Sequence, residues 1–587
     1  MRPPNVFPGR WRFVPINSAA SIRPQWIQKY RYYPASLAGS RNCSFAASQL
    51  SQTNAGQLLR NNNNNSNNDD NDDNDDNDNK SDAPHHDTYS QTHTLPPADH
   101  RVVGTEQELF VTSQYSPGSP LFLPNGTHIL NKLTSFLRAQ YMQYGFLEVL
   151  TPSIYKKSLW KVSGHWQNYK DDMYEVRGRN ATGEQTAETQ IGEDESYGLK
   201  PMNCPGHCLL FKSQNHSYRE LPLRYADFSP LHRNEISGSL SGLTRVRRFH
   251  QDDGHIFCRP QQIGSEIESA LKFTDTVMRT FGFENYRLVL STRPEKDFIG
   301  SVELWDSAER QLRDALEKSG RSWELNHGDG AFYGPKIDMQ IQDSDGKFHQ
   351  LSTIQLDMNL PQRFELEYAV PEGEEDYNPE TPGRAVPVLI HRAIFGSLER
   401  FFALLIENYN GRWPFWLSPR QGIILTVSQD EKLLQAADDA AAKMSGYRRV
   451  LSSNGDANST TGPPKPLSPA RTTFRIDLDT SARSLGKKIR EAKKMKYNLI
   501  FVLGEKNLVD GSVDVDLGGQ MMMTLGKGGV NSGATSHLHL LDDTPCWDVT
   551  GVPDLHGGAN AVANAMKMKM KVDDVYNWLL RLETTFH

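Results

Sequence analysis

The sequence predicts an α+β domain followed by a smaller α/β domain, both behind a long N-terminal segment without a core. Three observations carry this. The chain has 587 residues, more than one hydrophobic core supports. From Pro120 to residue 415, helix-period and strand-period segments follow one another irregularly, whereas beyond residue 416 strands alternate with helices. Residues 1–104 carry neither pattern.

The first segment, residues 1–60, holds no Asp or Glu; the first acidic residue is Asp69. Arg2, Arg10, Arg12, Arg23, Lys29, Arg31, Arg41 and Arg60 are spread among Ser, Ala, Pro and aromatic residues, the composition of a mitochondrial transit peptide. Residues 61–104 open with "NNNNNSNNDDNDDNDDNDNK", an Asn/Asp-rich stretch that buries nothing and reads as a disordered linker. The net charge of −7 owes much to this tract. No run of 18 apolar residues exists, so no membrane span is expected. Five widely spaced cysteines do not make a disulfide framework and suit a reducing compartment.

In the first domain, expected over 105–415, Ile129, Leu133, Phe136, Leu137 and Tyr141 recur at helical spacing, with Gly145 as the stop and "FLEVLTP" as a strand. Residues 178–196 read as a polar insertion. Strands with a polar loop between them follow from Ser217 to Phe257, then the amphipathic helix "SEIESALKFTDTVMRTFGF". "PVLIHRAIFGSLERFFALLIENY" predicts a strand running into a helix over 392–407, striped by Ile394, Leu398, Phe401 and Leu405. In the second domain, 416–587, the expected order is strand "GIILTVS", helix Asp430 to Met444, strand "RRVLSS", strand "FRIDLD", helix "SLGKKIREAKKMK" and strand "YNLIFVLG". Insertions interrupt it at 452–472 and about 517–560.

Three stretches concentrate chemistry. In "LKPMNCPGHCLLF", Cys204 stands between two prolines; the spacing allows half of a zinc finger, a reactive thiol, or one ligand of a metal site completed from far away. If "RVRRFHQDDGHIF" is one strand, alternation puts Arg245, Arg247, Phe249, Gln251, Asp253 and His255 on one face. That order, from cations through an aromatic ring to a carboxylate and an imidazole, suits a ligand with phosphate at one end and an amine at the other. Its partner "FSPLHRNEISG" offers Arg233, a guanidinium able to hold phosphate bidentately, and Glu235. Gly396 and Arg400, four apart, would share a helix face.

Taken in order, these pieces resemble the three signature motifs of class II aminoacyl-tRNA synthetases. "LEVLTPSIYKKSLWKVSGHWQNYKDDMY", "KPMNCPGHCLLF", "LPLRYADFSPLHRNEISGSLSGLTRVRRFHQDDGHIF", "FYGPKID", "STIQLDMNLPQRF" and "HRAIFGSLERF" resemble the threonyl-tRNA synthetase family, and "LGKKIREA" with "GEK" resembles its anticodon-binding domain. The resemblance implies an α+β class II synthetase catalytic domain, an antiparallel sheet flanked by helices, then a smaller α/β anticodon-binding domain. It implies a zinc ion on Cys204, His255 and His391, with an open position for threonine's amino and hydroxyl groups; apolar packing alone separates threonine from valine poorly. Gln251, Asp253, Tyr333 and Gln355 would line the threonine pocket. For ATP with Mg2+, it implies Arg233 on the α-phosphate, Glu235 at the adenine, Phe249 stacked on the ring, Arg245 and Arg400 on the phosphates, and Gln350 near the α-phosphate. Arg233 and Arg400 are the expected catalytic cations. Gln350 and Gln355 have opposite parity in a regular strand, so the strand bulges or one of them points elsewhere.

The implied activity is threonine–tRNA ligation: threonyl-adenylate forms from ATP and L-threonine and passes to mitochondrial tRNA(Thr) in the matrix. Pro152 falls where the first motif's interface proline belongs, which implies a homodimer. A synthetase for another amino acid, such as serine or proline, and an inactive RNA-binding or regulatory relative are the alternatives. The sequence also departs from the family. Leu351-Ser352 stands where Cys-Gly is common, Ser481-Ala482-Arg483 replaces Arg-Asn-Glu, and Asp516 replaces an arginine. No editing histidine pair precedes residue 105, so uncleared seryl-tRNA is expected. Lys487, Lys488, Arg490, Lys493, Lys494 and Lys496 are candidate tRNA phosphate contacts.

Overall fold

A computed structural model describes residues 98–586 except 179–195, 297, 449–465 and 518–566. The transit-peptide and linker readings, most of the three insertions and the strand "RRVLSS" lie outside the described residues. Among the described residues no helix is long and apolar enough to cross a membrane.

Eight strands form the central sheet of the first domain. In chain order they are β1 (Leu147–Glu148), β2 (Leu223–Asp227), β5 (Asp253–Cys258), β6 (Arg287–Ser291), β7 (Trp323–Asn326), β8 (Lys336–Gln342), β9 (Phe348–Asp357) and β10 (Val388–Ala393), with β3 (Pro230–His232) and β4 (Arg248–His250) paired as a separate antiparallel ribbon. The spatial order is β7-β6-β8-β9-β10-β5-β2-β1. Every pairing is antiparallel except β6 with β7 and β1 with β2 at the two edges. The antiparallel sheet flanked by helices is therefore present.

Alternation divides this sheet into two chemistries. Ala226, Ile256, Ile337, Ile354, Leu356 and Ile390 face a core built with the helices α1 (His100–Glu106), α2 (Pro124–Gln143), α4 (Ile263–Thr280) and α5 (Leu398–Tyr409). The expected stripe of α2, Ile129 to Tyr141, is buried in that core. Full burial of such a side chain stabilises by about 1.5–3 kcal/mol. The opposite face carries Tyr225, Asp227, Asp253, His255, Gln355, Asp357 and His391, and α3 (Cys204–Lys212) packs over it through Cys204, Cys208 and Phe211.

Several sequence expectations are corrected. Helix α1 already begins at His100, inside the stretch read as linker, and "FLEVLTP" pairs over only two residues. Residues 245–257 are two strands in two sheets, not one. Asp252, at the break, is buried and accepts from the backbone N–H of Ile394 (2.8 Å) and Phe395 (2.9 Å), which pulls the chain out of register. The helix predicted from 392 begins at Leu398, where the Ser397 hydroxyl accepts from the Arg400 amide. Gly396 precedes it in a turn with φ +66°, and a Cβ there would lie 2.4 Å from the Leu351 carbonyl oxygen. It therefore shares no helix face with Arg400.

The second domain has a five-stranded mixed sheet: β11 (Gly422–Thr426), β12 (Ile476–Asp479), β13 (Leu499–Leu503), β14 (Ser512–Asp516) and β15 (Lys567–Lys571), ordered β12-β11-β13-β14-β15. Helices α6 (Glu431–Ser445), α7 (Leu485–Lys494) and α8 (Val572–Thr584) accompany it. The end of the chain returns to the first domain. Lys132 of α2 pairs with Glu583, and the Phe586 ring packs on Phe136 (5.6 Å) and Trp416 (5.2 Å). Of the six tail cations, Lys488 is buried and donates to the carbonyls of Thr426 and Asp479, while Lys496 donates to the Asn410 carbonyl. Lys488 is thereby held inside the domain and is not a surface cation. Lys487, Arg490, Lys493 and Lys494 are exposed, and Lys493 also pairs with Asp516 at 2.9 Å.

Candidate active site

Strand register assembles the residues expected to hold the amino acid. Across five neighbouring strands, Tyr225, His255, His391, Gln355 and Lys336 form one row. The next row is Asp227, Asp253, Ala393, Thr353 and Asp338. Neighbouring strands lie about 4.8 Å apart, so side chains adjacent in a row touch. The His255 and His391 rings are 4.7 Å apart between centroids, and α3 brings Cys204 over them. The Cys204 sulfur and one nitrogen from each histidine all lie within 4.8 Å of one another, and the three residues are buried.

A count of protons tests whether this trio suits a cation. His391 Nε2 meets Asp357 Oδ2 at 2.9 Å, and His391 Nδ1 meets His255 Nε2 at 2.9 Å. His255 Nδ1 meets His207 Nδ1 at 2.8 Å, and His207 Nε2 faces Asp227 Oδ2 at 3.8 Å. Three imidazoles thus stand between two carboxylates, with three contacts of hydrogen-bond length and a longer approach of His207 Nε2 to Asp227, and neutral rings supply three N–H groups. When each carboxylate faces an N–H, one histidine–histidine contact is left without a proton, and with the His255 proton on Nδ1 it is the one between His255 Nε2 and His391 Nδ1. Two lone pairs then converge beside a sulfur, the donor set of a tetrahedral zinc site with one open position. Burial, then the flanking histidines, holds His255 well below its ordinary pKa, so its ring is neutral as a ligand must be. Burial raises the Cys204 thiol well above its ordinary range, so becoming a thiolate requires a positive partner.

Three residues that sequence reading missed support the trio. Asp357 is fully buried, and its second oxygen accepts from the amides of Asn359 (2.7 Å) and Leu360 (3.0 Å). Its position two after Gln355 puts it on the same strand face, which parity could have shown. His207 lies three after Cys204 on α3 and meets His255 from outside the trio; Cys208 is also buried outside it. His165 Nε2 lies 3.8 Å from the Cys204 sulfur, and burial pushes its pKa down to about 3. The buried Asp227 is itself held by Thr151, Ser229 and the buried Lys200.

The remaining pocket residues sit where the row pattern puts them. Asp253 is buried beside His255, with its pKa raised by burial. The Tyr333 ring lies 5.0 Å from that of His391, and its hydroxyl donates to Gln355 Oε1. Gln355 Nε2 donates to Thr353 Oγ1 (3.1 Å), Thr353 Oγ1 donates to Asp338 Oδ1 (2.9 Å), and Gln350 Nε2 donates to the same oxygen (2.6 Å). The parity conflict between Gln350 and Gln355 resolves as a bulge. Pairing runs Gln340 with Gln350, then Asp338 with Thr353, so Leu351 and Ser352 oppose one residue. Both turn to the far side of the sheet, Leu351 into the main core and Ser352 toward Ala393 O and Thr274. The departure from Cys-Gly therefore lies behind the pocket. Gln251, in the break between β4 and β5, is half-buried.

The residues expected to hold the nucleotide ride on the β3–β4 ribbon. The Arg233 guanidinium lies 5.0 Å from the centroid of the buried Phe249 ring. Glu235 pairs with Arg245 at 2.8 Å. Arg400 donates from Nε to Thr244 O (2.9 Å) and from Nη1 to Gln350 O (2.8 Å), which fixes its fork in one orientation. Burial and then the charges of Arg233 and Arg245 lower the Arg400 pKa, against the opposing charge of Glu235. Such a cluster favours a polyanion in the space between them.

Comparison with known proteins agrees with this division. Residues 187–409 match the tRNA synthetase class II core domain (G, H, P, S and T), and residues 421–519 match an anticodon binding domain. The chain is 50% identical over 408 residues to a probable mitochondrial threonine–tRNA ligase of Schizosaccharomyces pombe, covering 69% of this chain and 81% of that one. It is 47% identical over 417 residues to the human cytoplasmic threonine–tRNA ligase 1, covering 71% of this chain but 51% of that one, about half its length. The solved RNA binding domain of threonyl-tRNA synthetase from Cryptosporidium parvum Iowa II superposes with a TM-score of 0.64 at 38% identity, over 82% of this chain and 98% of that one. With a class II core, an anticodon-binding domain and this degree of identity, the chain belongs to the threonyl-tRNA synthetase family.

Proposed function

We propose that the protein is a threonine–tRNA ligase that activates L-threonine with Mg2+-ATP and transfers it to mitochondrial tRNA(Thr). The observation that carries this is the convergence of Cys204, His255 and His391 in a buried pocket joined to the Arg233/Arg245/Arg400 cluster by the Gln350–Asp338–Thr353–Gln355 hydrogen-bond chain. A zinc ion held by the three ligands would supply a coordination position for the substrate's hydroxyl and amino groups. Asp253, Gln251, Tyr333 and Gln355 would orient the amino acid around it. Asp253, buried one position from Gly254 on the strand that carries His255, suits a contact to a hydroxyl or ammonium. Phe249 and Glu235 would hold the adenine, and Arg245 would reach the outer phosphates. Arg233 and Arg400 would clamp the α-phosphate while the amino acid's carboxylate attacks it. This chemistry depends on alignment and charge stabilisation, and no general base is assigned.

The acid-free residues 1–60 and the mitochondrial relatives support a matrix location. Met142, Leu147, Leu150 and Ile154 are exposed around the edge strand β1, next to Pro152, which supports a homodimer through that edge. Exposed Lys487, Arg490 and Lys494 on α7 are candidate contacts to tRNA phosphates.

The deciding experiment is ATP–pyrophosphate exchange with threonine, valine and serine, alongside metal analysis of the purified protein. The reading predicts one zinc per chain and exchange with threonine far above valine. Equal exchange with valine, or no stoichiometric metal, would overturn it.

A further inference from the structure

We propose that His100 is a positioning residue for the nucleotide half of the site, acting through the turn that aims Arg400. This rests on the reading of Arg400 as a nucleotide ligand. His100 is buried in α1, far in sequence from either half of the site. Its Nδ1 contacts Glu407 Oε1 of α5 at 2.7 Å, and its Nε2 receives the Leu243 backbone N–H at 3.2 Å. The Leu243 contact assigns the tautomer: Nε2 accepts, so Nδ1 carries the proton and donates to Glu407. The Nε2 edge of the ring abuts Gly242. A Cβ at that residue would fall 2.1 Å from Nε2, and Gly242 has φ +47°, so glycine is what admits the imidazole here.

Leu243 belongs to a tight turn. Ser241 and Arg245 exchange backbone hydrogen bonds, and the Thr244 amide and hydroxyl both donate to Ser241 O. The next carbonyl, Thr244 O, accepts from Arg400 Nε. Displacing Leu243 therefore displaces the acceptor that sets the Arg400 fork. The same N-terminal segment grips the ribbon a second time. Gly118 O accepts from the Arg247 amide at 2.6 Å, and the Arg247 side chain donates to Glu235 O and Ser237 Oγ. Residues 98–122 thus act as a strap across the nucleotide-binding turn. Glu407 is in turn fixed by Ser344, whose hydroxyl also donates to Ala98 O.

The test compares two full-length variants in ATP–pyrophosphate exchange. H100N keeps a donor near the Nδ1 position but cannot reach Leu243. H100Q places an amide oxygen near the Nε2 position and can accept from it. The expected result is that H100N raises the KM for ATP about 10-fold, the scale of one buried hydrogen bond. The KM for threonine should stay within about 2-fold, kcat should fall alongside because Arg400 also serves the α-phosphate during attack, and H100Q should hold both the KM for ATP and kcat within about 3-fold of wild type. A packing role alone would lower all parameters of both variants in step with their melting temperatures, and that outcome overturns the proposal, as does an unchanged KM for ATP in H100N. Should H100N fail to fold, hydrogen exchange on the wild type decides. Slow exchange of the Leu243 amide supports the anchor, and exchange at the rate of a free loop overturns it. A wild type inactive with threonine would instead refute the functional reading itself.

Discussion

Replacing Asp357 by Asn tests the proton count at the centre of the site. The carboxylate accepts from His391 Nε2 at 2.9 Å in a fully buried position, and this contact alone leaves His391 Nδ1 bare toward His255. In D357N the amide oxygen can still serve the Asn359 and Leu360 amides, which turns the NH2 group toward His391. That donor demands an accepting Nε2 and moves the ring proton to Nδ1, where a cation should bind. Loss of such an outer partner weakens metal binding by about 10- to 100-fold, or roughly 1.4–2.8 kcal/mol. Competition with a chromophoric chelator gives the metal affinity, and the thermal shift on adding zinc gives a second reading. D357N should lose affinity within that range, and its KM for threonine should rise more than its KM for ATP. Metal affinity within 2-fold of wild type would refute the tautomer argument, because the geometry leaves no other group to set His391.

Further outcomes follow from the geometry. R400K cannot satisfy Thr244 O and Gln350 O and still offer phosphate a second nitrogen, so ATP–pyrophosphate exchange should fall by about 100-fold, and a loss below 5-fold would contradict the assigned role. G396A forces a side chain into a left-handed turn and against Leu351 O, so denaturant melts should show a loss of about 2 kcal/mol; a loss below about 0.5 would contradict the crowding. Asp252 is pushed up to about 6 by burial, so the folded state holds its proton more tightly than the unfolded chain and this contribution fades as pH rises from 4 through 6. The stability of wild type relative to D252N should therefore decline between pH 4 and 7 in denaturant melts, and a rise would reverse the assignment.

Much of this was readable because the sheet is antiparallel and two-sided. Once His255 and His391 lie on neighbouring strands, alternation alone makes them meet, and the apolar partners Ile256 and Ile390 confirm the facing. The stripe of α2 was equally legible, since five residues share one periodicity. What failed did so where a buried polar group overrides a local pattern. Asp252 takes two backbone amides of the segment after β10, so a run that alternates well on paper breaks into two strands. Gly396 suits a helix face by spacing, yet its carbonyl neighbour and positive φ put it in a turn. Lys488 reads as a surface cation, but carbonyls of two different strands hold its amine inside. The strap around His100 left no signal in periodicity, because its partners lie 143 and 307 residues away.

The joint at Gln251–Asp252 separates two mechanical supports. Below it the proposed amino-acid wall is cast into an eight-stranded sheet; above it the proposed nucleotide platform is a two-stranded strip pinned at a few points, among them His250 to Glu399. Alterations to the wall's side chains can be absorbed without disturbing the platform, since no continuous ladder transmits them. An engineer seeking to retune amino-acid preference should vary β5, β10 and the Gln355 end of β9 and leave the strip and Gln350, whose carbonyl holds Arg400, alone, and chemistry at the phosphate should survive the exchange.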